Sequence, residues 1–464
     1  MIGHDDKVLP ADPLEGISIA EFGARLRRGA ATAEAATRAY LSRIAMLEPR
    51  LGAFVHVAED DAIEQARALD RLLSTGTDLG PLMGVPVAVK DLFTVEGMPA
   101  PKCGSNVDIS DLVEPEGEFI KRLKRAGCVI LGKTRMTEFA FGLFNVTHRT
   151  PWNPCDPFVH RMPGGSSNGS AVALAAGLCA FSIGSDTGGS VRQPAALCGL
   201  FGLKPTFGLW PTDGVFPLST TMDSIGPFTR SAEDAALVFA VLSNRTVPQP
   251  RRLKGLRLGR PRTHFFDNLG DEVRVATDRA LRDLEVAGVE ILPVEVSEAS
   301  EIDTVFAPIL SVELLVTLGA RRFTKSKDIL DPVVWNRAEP ALRYTALEYA
   351  GQRRRQEALC RVAKQRMVGL DGWISTTAPE PAPPVMDYSS PERAAAWIRR
   401  NTHNTRPANL FGQCAASVAL PGGMLPVGLQ VACDGGRDES LLGICQAIEA
   451  LFGRRTLPDM RRFL

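Results

Sequence analysis

The sequence carries no excess charge of either sign. Its 464 residues include 53 Lys and Arg against 53 Asp and Glu, so no global field draws the chain onto nucleic acid or an anionic membrane. It has no CxxC pair and no zinc-ligand spacing. Nine cysteines, from Cys103 to Cys445, stand singly in mostly apolar text, which points to reduced, packed thiols in a cytoplasmic protein. The N-terminal stretch MIGHDDKVLPADPLEG lacks a basic region followed by an apolar one, so neither an export leader nor an anchor is expected. The longest uncharged stretch, Pro407 to Cys433, is broken by Pro421-Gly422-Gly423 and Pro426, which excludes a single spanning helix. No internal repeat and no inter-domain linker is visible.

What is there is an ordinary globular composition, 45% hydrophobic and 23% charged, in a chain long enough for about three domains or for a single large α/β core. The first 75 residues have helical periodicity, with Ser18 and Glu21 as a capping box before Phe22 and Leu26. Strand and helix patterns then alternate: a strand at Val87–Val89, a helix near Gly117–Ala126, a strand at Cys128–Leu131, an Ala-rich helix after Ser170, and a strand near Ala180–Gly184. A helix from Ser231, a strand around Leu256, a helix at Asp271–Ala287 and a strand at Val289–Val294 follow. A mostly helical region covers about 300–370, and Trp373–Thr376 reads as another strand. The pattern predicts an α/β fold, a mixed, mainly parallel sheet covered by helices on both faces. Its parts are N-terminal helices over 1–75, a core with the chemistry-bearing loops over 76–245, and a variable, mostly helical substrate-side region over 300–400.

Two motif matches do not carry chemistry. Gly127 to Thr134 fits the GxxxxGK[ST] phosphate loop, but Cys128-Val129-Ile130-Leu131 has strand composition and would spend its amides on a ladder. Gly165 to Gly169 fits GxSxG, which would make Ser167 a nucleophile with His264 or His403 as base. The segment ahead of it, Phe158 to Gly164, is polar and broken by Pro163, where an elbow needs a buried strand. The run Arg353-Arg354-Arg355 reads as a solvated helix face, and His148, Trp152 and Trp210 read as packing residues before ligand contacts.

Three segments taken together say more: Val87-Ala-Val-Lys90-Asp91, Pro163-Gly-Gly-Ser166-Ser-Asn-Gly-Ser170, and Gly184-Ser-Asp-Thr-Gly-Gly-Ser190-Val-Arg-Gln-Pro194. A lysine ending an apolar run is desolvated toward its neutral form and can serve as a base. The alternative for Lys90 alone is a strand-end ammonium paired with Asp91 in solvent. Serine needs a base, and preferably a relay, within hydrogen-bond reach, and two serine-bearing glycine loops could supply nucleophile and relay. The Thr187-Gly188-Gly189-Ser190 turn, after a strand and before a helix, can aim backbone N–H groups at a developing oxyanion.

These segments resemble the amidase signature family of Ser-cisSer-Lys amidohydrolases. The resemblance continues through Cys198-Gly199-Leu-Phe-Gly-Leu-Lys204-Pro205-Thr206, Asp223-Ser-Ile-Gly226-Pro227 and Leu425-Pro426-Val427-Gly428-Leu429-Gln430. It implies Ser190 as acyl-enzyme nucleophile, Ser166 as bridging serine after a cis Gly165–Ser166 bond, and Lys90 as buried base. It also implies an oxyanion hole from the backbone N–H groups of Thr187, Gly188, Gly189 and Ser190, with Asp186 and Arg192 bracing the loop. Asn168 and Gln193 depart from the commonest pattern without touching a catalytic position. The implied activity is hydrolysis of a small-molecule carboxylic amide to an acid and an amine, with no metal and no cofactor, no nucleic acid and no membrane, by a homodimer. The alternative is the catalytic subunit of a tRNA-dependent glutamine amidotransferase.

Overall fold

In a computed structural model, described here for residues 8–464, the central feature is an eleven-stranded sheet. The strands are β1 (Phe54–Val57), β2 (Pro86–Lys90), β3 (Val129–Thr134), β4 (Phe181–Asp186), β5 (Phe201–Lys204), β6 (Ser224–Thr229), β7 (Arg257–Pro261), β8 (Glu290–Val294), β9 (Gly372–Thr376), β10 (Cys414–Leu420) and β11 (Val427–Cys433). Their spatial order is β1-β3-β2-β4-β6-β5-β10-β11-β9-β7-β8. The sheet is mixed, helix-covered and part of one α/β domain, as expected. The parallel bias is confined to two triplets, β3-β2-β4 and β9-β7-β8. The strands between them, and the edge pair β1-β3, run antiparallel. The antiparallel centre exists because β10 and β11 form a hairpin around the Pro421–Pro426 turn. The uncharged Pro407–Cys433 stretch thus spends its apolar residues on two buried strands. Among the described residues no helix is long and apolar enough to cross a membrane.

Most elements sit where the periodicity places them, including helices Ile19–Arg27, Ala33–Leu51, Glu59–Ser74, Glu118–Arg125, Ala232–Ser243 and Asp271–Val286. Ser18 caps the first of these by accepting from the Glu21 amide at 3.2 Å. Only half of the capping box forms, because the Glu21 carboxylate turns to Arg25 and Arg28. Residues 1–7, which include the start of the stretch read for a leader, lie outside the described residues. β1, a four-residue strand between two helices, breaks the expected all-helical opening.

Strand β2 is buried at all five positions, which is why it reads as a continuous apolar run instead of an alternating one. It lies between β3 and β4, so anything at its C-terminal end is deep in the molecule. The helix Asn168–Ala175 is buried on every side, and its composition, apolar all round, suits that position. These two elements place a lysine and a serine loop at the same end of the sheet.

Candidate active site

Lys90 is the last residue of β2 and has no exposed surface. The neighbouring Asp91 does not pair with it: its carboxylate meets Lys133 Nζ at 2.7 Å. Lys90 Nζ instead donates to Ser166 Oγ at 2.7 Å and to Ser185 Oγ at 2.8 Å. Burial pushes the ammonium from the ordinary lysine range down to about 7, against the pull of Asp223, Cys103 and Asp186. A substantial fraction is then free amine at neutral pH, with a lone pair for a proton.

Ser166 is held in the turn leading into the helix Asn168–Ala175. The Gly165–Ser166 peptide is cis, as the family resemblance implies. The Ser166 carbonyl accepts from the Thr137 amide at 3.1 Å, and the Gly165 amide donates to Gln193 Oε1 at 3.2 Å. Gln193 therefore fixes the residue next to Ser166, closer to the site than its slot in the sequence suggests. Asn168 does not: its Oδ1 accepts from the Gly169 amide.

The third segment leaves β4 at Asp186 and enters the helix Arg192–Cys198. Asp186 and Arg192 are fully buried and paired, Nη2 to Oδ1 at 2.8 Å. Burial alone would raise the Asp186 carboxyl, but the Arg192 guanidinium and further donors outweigh it and hold it well below the usual carboxylate range. Arg192 also reaches the Thr405 carbonyl, Gln430 Oε1 and Asn409 Oδ1, so it ties the turn to β11 and to the segment before β10.

One expected oxyanion donor is already engaged. The Gly189 N–H donates to Asp186 Oδ1 at 2.9 Å, because the carboxylate folds back under the turn. The amides of Thr187, Gly188 and Ser190 make no such bond among the described residues. Glycine is required here by space: a Cβ on Gly188 would lie 2.6 Å from Phe306 Cζ. At Gly189, with φ +119, it would lie 2.0 Å from Thr405 Oγ1. Thr405 Oγ1 donates to the Gly188 carbonyl at 2.7 Å and Thr187 Oγ1 donates to Asp223 Oδ1 at 2.5 Å. Asp223, raised by burial to about 6, also accepts from the Leu218 and Ser219 amides. That turn is tied down by Glu313, which accepts from Ser219, Thr221 and Tyr349.

Lys90 and Ser166 have no exposed surface, Ser185 has 5% and Ser190 has 7%. Hydrogen bonds bring Ser166 and Ser185 to Lys90 Nζ, whereas Ser190 Oγ makes no hydrogen bond to either serine or to Lys90 among the described residues. Sequence reasoning missed Ser185, Thr137, Gln193 and the Asp223–Glu313 link. For Ser185 a signal existed, since it directly precedes Asp186 at the end of the strand beside Lys90.

The rejected motifs are structural. Residues 129–134 of the GxxxxGKT match form β3, and Lys133 Nζ is held by Asp91 and the Pro99 carbonyl. Ser167 Oγ lies 3.3 Å from both the amide and the carbonyl of Ser185. His264 and His403 stack on each other at 3.4 Å. Trp210 packs in the core, Trp152 stacks on His160, and His148 sits beside Thr147 and Asp331. Among the described residues no group of three or more His, Cys, Asp or Glu side chains is placed to hold a metal ion.

The chain is similar to known proteins over nearly its whole length. The family model described as Amidase matches residues 35–442. The chain is 37% identical over 451 residues to 2-amino-5-chloromuconic acid deaminase of Comamonas testosteroni, covering 94% of this chain and 96% of that one. It is 31% identical over 483 residues to a glutamyl-tRNA(Gln) amidotransferase subunit of Geobacter metallireducens, covering 93% and 96%. Among solved structures, that of an amidase superposes with a TM-score of 0.86 at 31% identity, over 94% of this chain and all of that one. The peptide amidase of Stenotrophomonas maltophilia gives 0.82 at 26% identity, over 97% and 99%.

Proposed function

The chain belongs to the amidase family, hydrolases of carbon–nitrogen bonds, and from that premise we propose that it cleaves carboxylic amides through a Ser190 acyl-enzyme. Neutral Lys90 takes the Ser166 hydroxyl proton as Ser166 takes that of Ser190, and Ser190 Oγ adds to the amide carbonyl carbon. The free amides of Thr187, Gly188 and Ser190 receive the developing oxyanion. The proton returns through Ser166 to the amide nitrogen, which leaves as ammonia or an amine. Water then repeats the sequence and releases the acid. The single observation that carries this reading is the 2.7 Å contact between Lys90 Nζ and Ser166 Oγ, sealed from solvent. The contact serves in either direction, with the ammonium donating or the amine accepting.

The test is ammonia release from simple amides by the purified chain, with intact-mass detection of an acyl group on Ser190 during turnover of a slow ester. A protein that turns over amides unchanged after Ser190→Ala would refute it.

A second reading is favoured by the 31% identity to the glutamyl-tRNA(Gln) amidotransferase relative: a component that supplies ammonia to a tRNA-dependent partner. Amide hydrolysis by the isolated chain supports the first reading, and inactivity until partner chains are added supports the second. The zero net charge weighs toward the first. The deaminase relative, named for an amino-substituted acid, places substrates with acidic groups among those to screen.

For compartment and assembly the proposal is the cytoplasm and a homodimer. The nine unpaired cysteines support a reducing compartment. Exposed Val275 and Met424, with Leu451 on the same surface depression, offer an apolar face for a second copy. Light scattering of the purified protein tests the dimer.

A further inference from the structure

The helix Ile302–Leu318 bears on the glycine turn after β4 at three places. Asp303 pairs with Arg406, whose neighbour Thr405 donates to the Gly188 carbonyl at 2.7 Å. Phe306 fills the space that a side chain on Gly188 would need. Glu313 reaches the turn between Leu218 and Asp223. Positions 303, 306 and 313 fall on one face of a helix, so one rigid element addresses Thr187–Ser190 through two separate loops.

Glu313 is 6% exposed, and its carboxylate is met by neutral donors instead of a cation. Oε2 accepts from Ser219 Oγ and from the Thr221 amide at 3.3 Å. Oε1 accepts from Thr221 Oγ1 at 2.7 Å and from Tyr349 Oη at 2.6 Å. Tyr349 stands on the helix Ala346–Arg366. Burial, together with the Glu313 carboxylate, pushes its hydroxyl up to about 12, so it remains a donor. The turn held in this way presents the Leu218 and Ser219 amides to Asp223 Oδ2, both at 2.9 Å, and Asp223 Oδ1 receives the Thr187 hydroxyl. Asp186 lies opposite Ser224 at the end of the β4–β6 ladder, which sets Asp223 against Thr187 one step beyond it. Neither Glu313 nor Asp223 has a salt-bridge partner among the described residues. Carboxylates joined through one turn with no cation in contact are costly to the fold, and such groups gather at functional sites.

We infer that Glu313 is a positioning residue for the proposed reaction: through the 218–223 turn and Asp223 it holds Thr187, and with it the backbone amides that receive the oxyanion, in the geometry the transition state needs. The inference rests on the Ser190 reading for the reaction. It adds a residue that acts on that reaction from the substrate-side helices, through others.

Charge passes along the same route. Burial raises Asp223 and the Glu313 carboxylate adds to it, while the Thr187 hydroxyl and the Ser219 and Leu218 amides oppose it. Burial lowers Lys90, and Asp223 is the first of the groups that oppose it, ahead of Cys103 and Asp186. With Glu313 replaced by a neutral group, Asp223 gives up its proton at lower pH, and its anion then holds the Lys90 proton to higher pH. Glu313→Gln therefore moves the acid limb of kcat/KM upward, opposite to the loss of Asp223 itself.

The test measures kcat and KM of the wild type and Glu313→Gln on butyramide and benzamide across pH 5–9. In Glu313→Gln, kcat falls roughly 10-fold, part of what the loss of an oxyanion donor costs, with KM nearly constant, as for an interaction made only in the transition state. The acid limb moves up, and in an Asp223→Asn background the same substitution moves it no further. Tyr349→Phe removes one donor and no charge, lowers kcat about 3-fold, and carries the kinetic test if Glu313→Gln does not fold. Unchanged kcat, a limb that moves down in Glu313→Gln, or an equal shift in the Asp223→Asn background overturns the inference. A lower melting temperature with the limb unmoved marks a structural glutamate and also overturns it. Hydrogen-exchange mass spectrometry reads the coupling without turnover, as faster exchange of residues 187–190 and 218–223 in Glu313→Gln. If the wild type hydrolyses neither amide, that faster exchange upholds the hold of Glu313 on the turn while the reaction assigned to Ser190 fails. Unchanged exchange there overturns the inference. Amide hydrolysis that responds to neither Glu313→Gln nor Tyr349→Phe sinks the inference and leaves the Ser190 reading in place.

Discussion

Asp91 gives its carboxylate to Lys133 at 2.7 Å and thereby leaves Lys90, its neighbour in the chain, without a counter-ion in contact. Both partners of the Asp91–Lys133 pair are buried, at 6% and 1% side-chain exposure. Breaking such a pair from one side strands a charge, at a cost of roughly 3–5 kcal/mol. Lys133→Met is therefore expected to lower unfolding stability by about that much in urea titration. The double variant Lys133→Met, Asp91→Asn is expected to recover a large part of it, because no lone carboxylate remains. Equal stability of single and double variants would contradict the pairing.

The lowered Lys90 value fixes the direction of the pH dependence. The proposed base acts as the free amine, so kcat/KM is lost as pH falls through about 7, giving an acid limb near neutrality. Asp223 favours the charged form of Lys90. Asp223→Asn removes that anion, so the limb moves to lower pH, and a pH–rate series on a neutral amide measures the shift. A limb moved upward, or unmoved while activity falls at every pH, would leave Asp223 with no electrostatic hold on Lys90. Lys90→Ala is expected to depress turnover by roughly 100- to 10,000-fold with near-UV circular dichroism unchanged.

Gly189 cannot carry a side chain without moving Thr405. An alanine there would place its Cβ 2.0 Å from Thr405 Oγ1 and 2.5 Å from Thr405 Cβ, at φ +119. Gly189→Ala is expected to cut kcat by roughly 100-fold or more, on the scale of losing an oxyanion donor, because the turn that aims its neighbours' amides must shift. Adding Thr405→Ala does not rescue it, since the Cβ of residue 405 stays in place. Rescue by that second change would show that the hydroxyl alone was the obstacle.

The legible parts are those whose signal is local. β2, β3 and β4 announce themselves as short apolar runs because helices cover both faces. Lys90, Ser166, Asp186 and Ser190 stand out because glycine loops and a strand-end lysine are compact in sequence. The β10–β11 hairpin is hidden because Cys414–Leu420 is rich in alanine and Val427–Cys433 carries Gly428 and Gln430, so neither stands out as a β-branched apolar run. The parallel bias read from the first half of the chain therefore does not extend through the centre of the sheet. Glu313 is illegible for a different reason. Its partners Ser219 and Thr221 lie 94 and 92 residues away, and no spacing rule connects them.

Ser185 separates a positioning role from a catalytic one. Its hydroxyl accepts from Lys90 Nζ at 2.8 Å, alongside Ser166 at 2.7 Å, yet it is not a step in the proposed proton path. Accepting a hydrogen bond favours the charged form of the donor, so Ser185→Ala destabilises the ammonium and shifts the acid limb of the pH profile downward. It also frees the Lys90 side chain to rotate, which costs turnover on the order of 10-fold, about the worth of one hydrogen bond. Ser166→Ala removes the relay itself and is expected to cost at least about 100-fold more than Ser185→Ala. Measured at one pH, the two variants would differ only in degree. Measured across pH 5–9, Ser185→Ala keeps most of its plateau with a displaced limb, while Ser166→Ala loses the plateau. If the two behave alike, Ser185 takes part in proton transfer and the path from Ser190 to Lys90 must be redrawn through it.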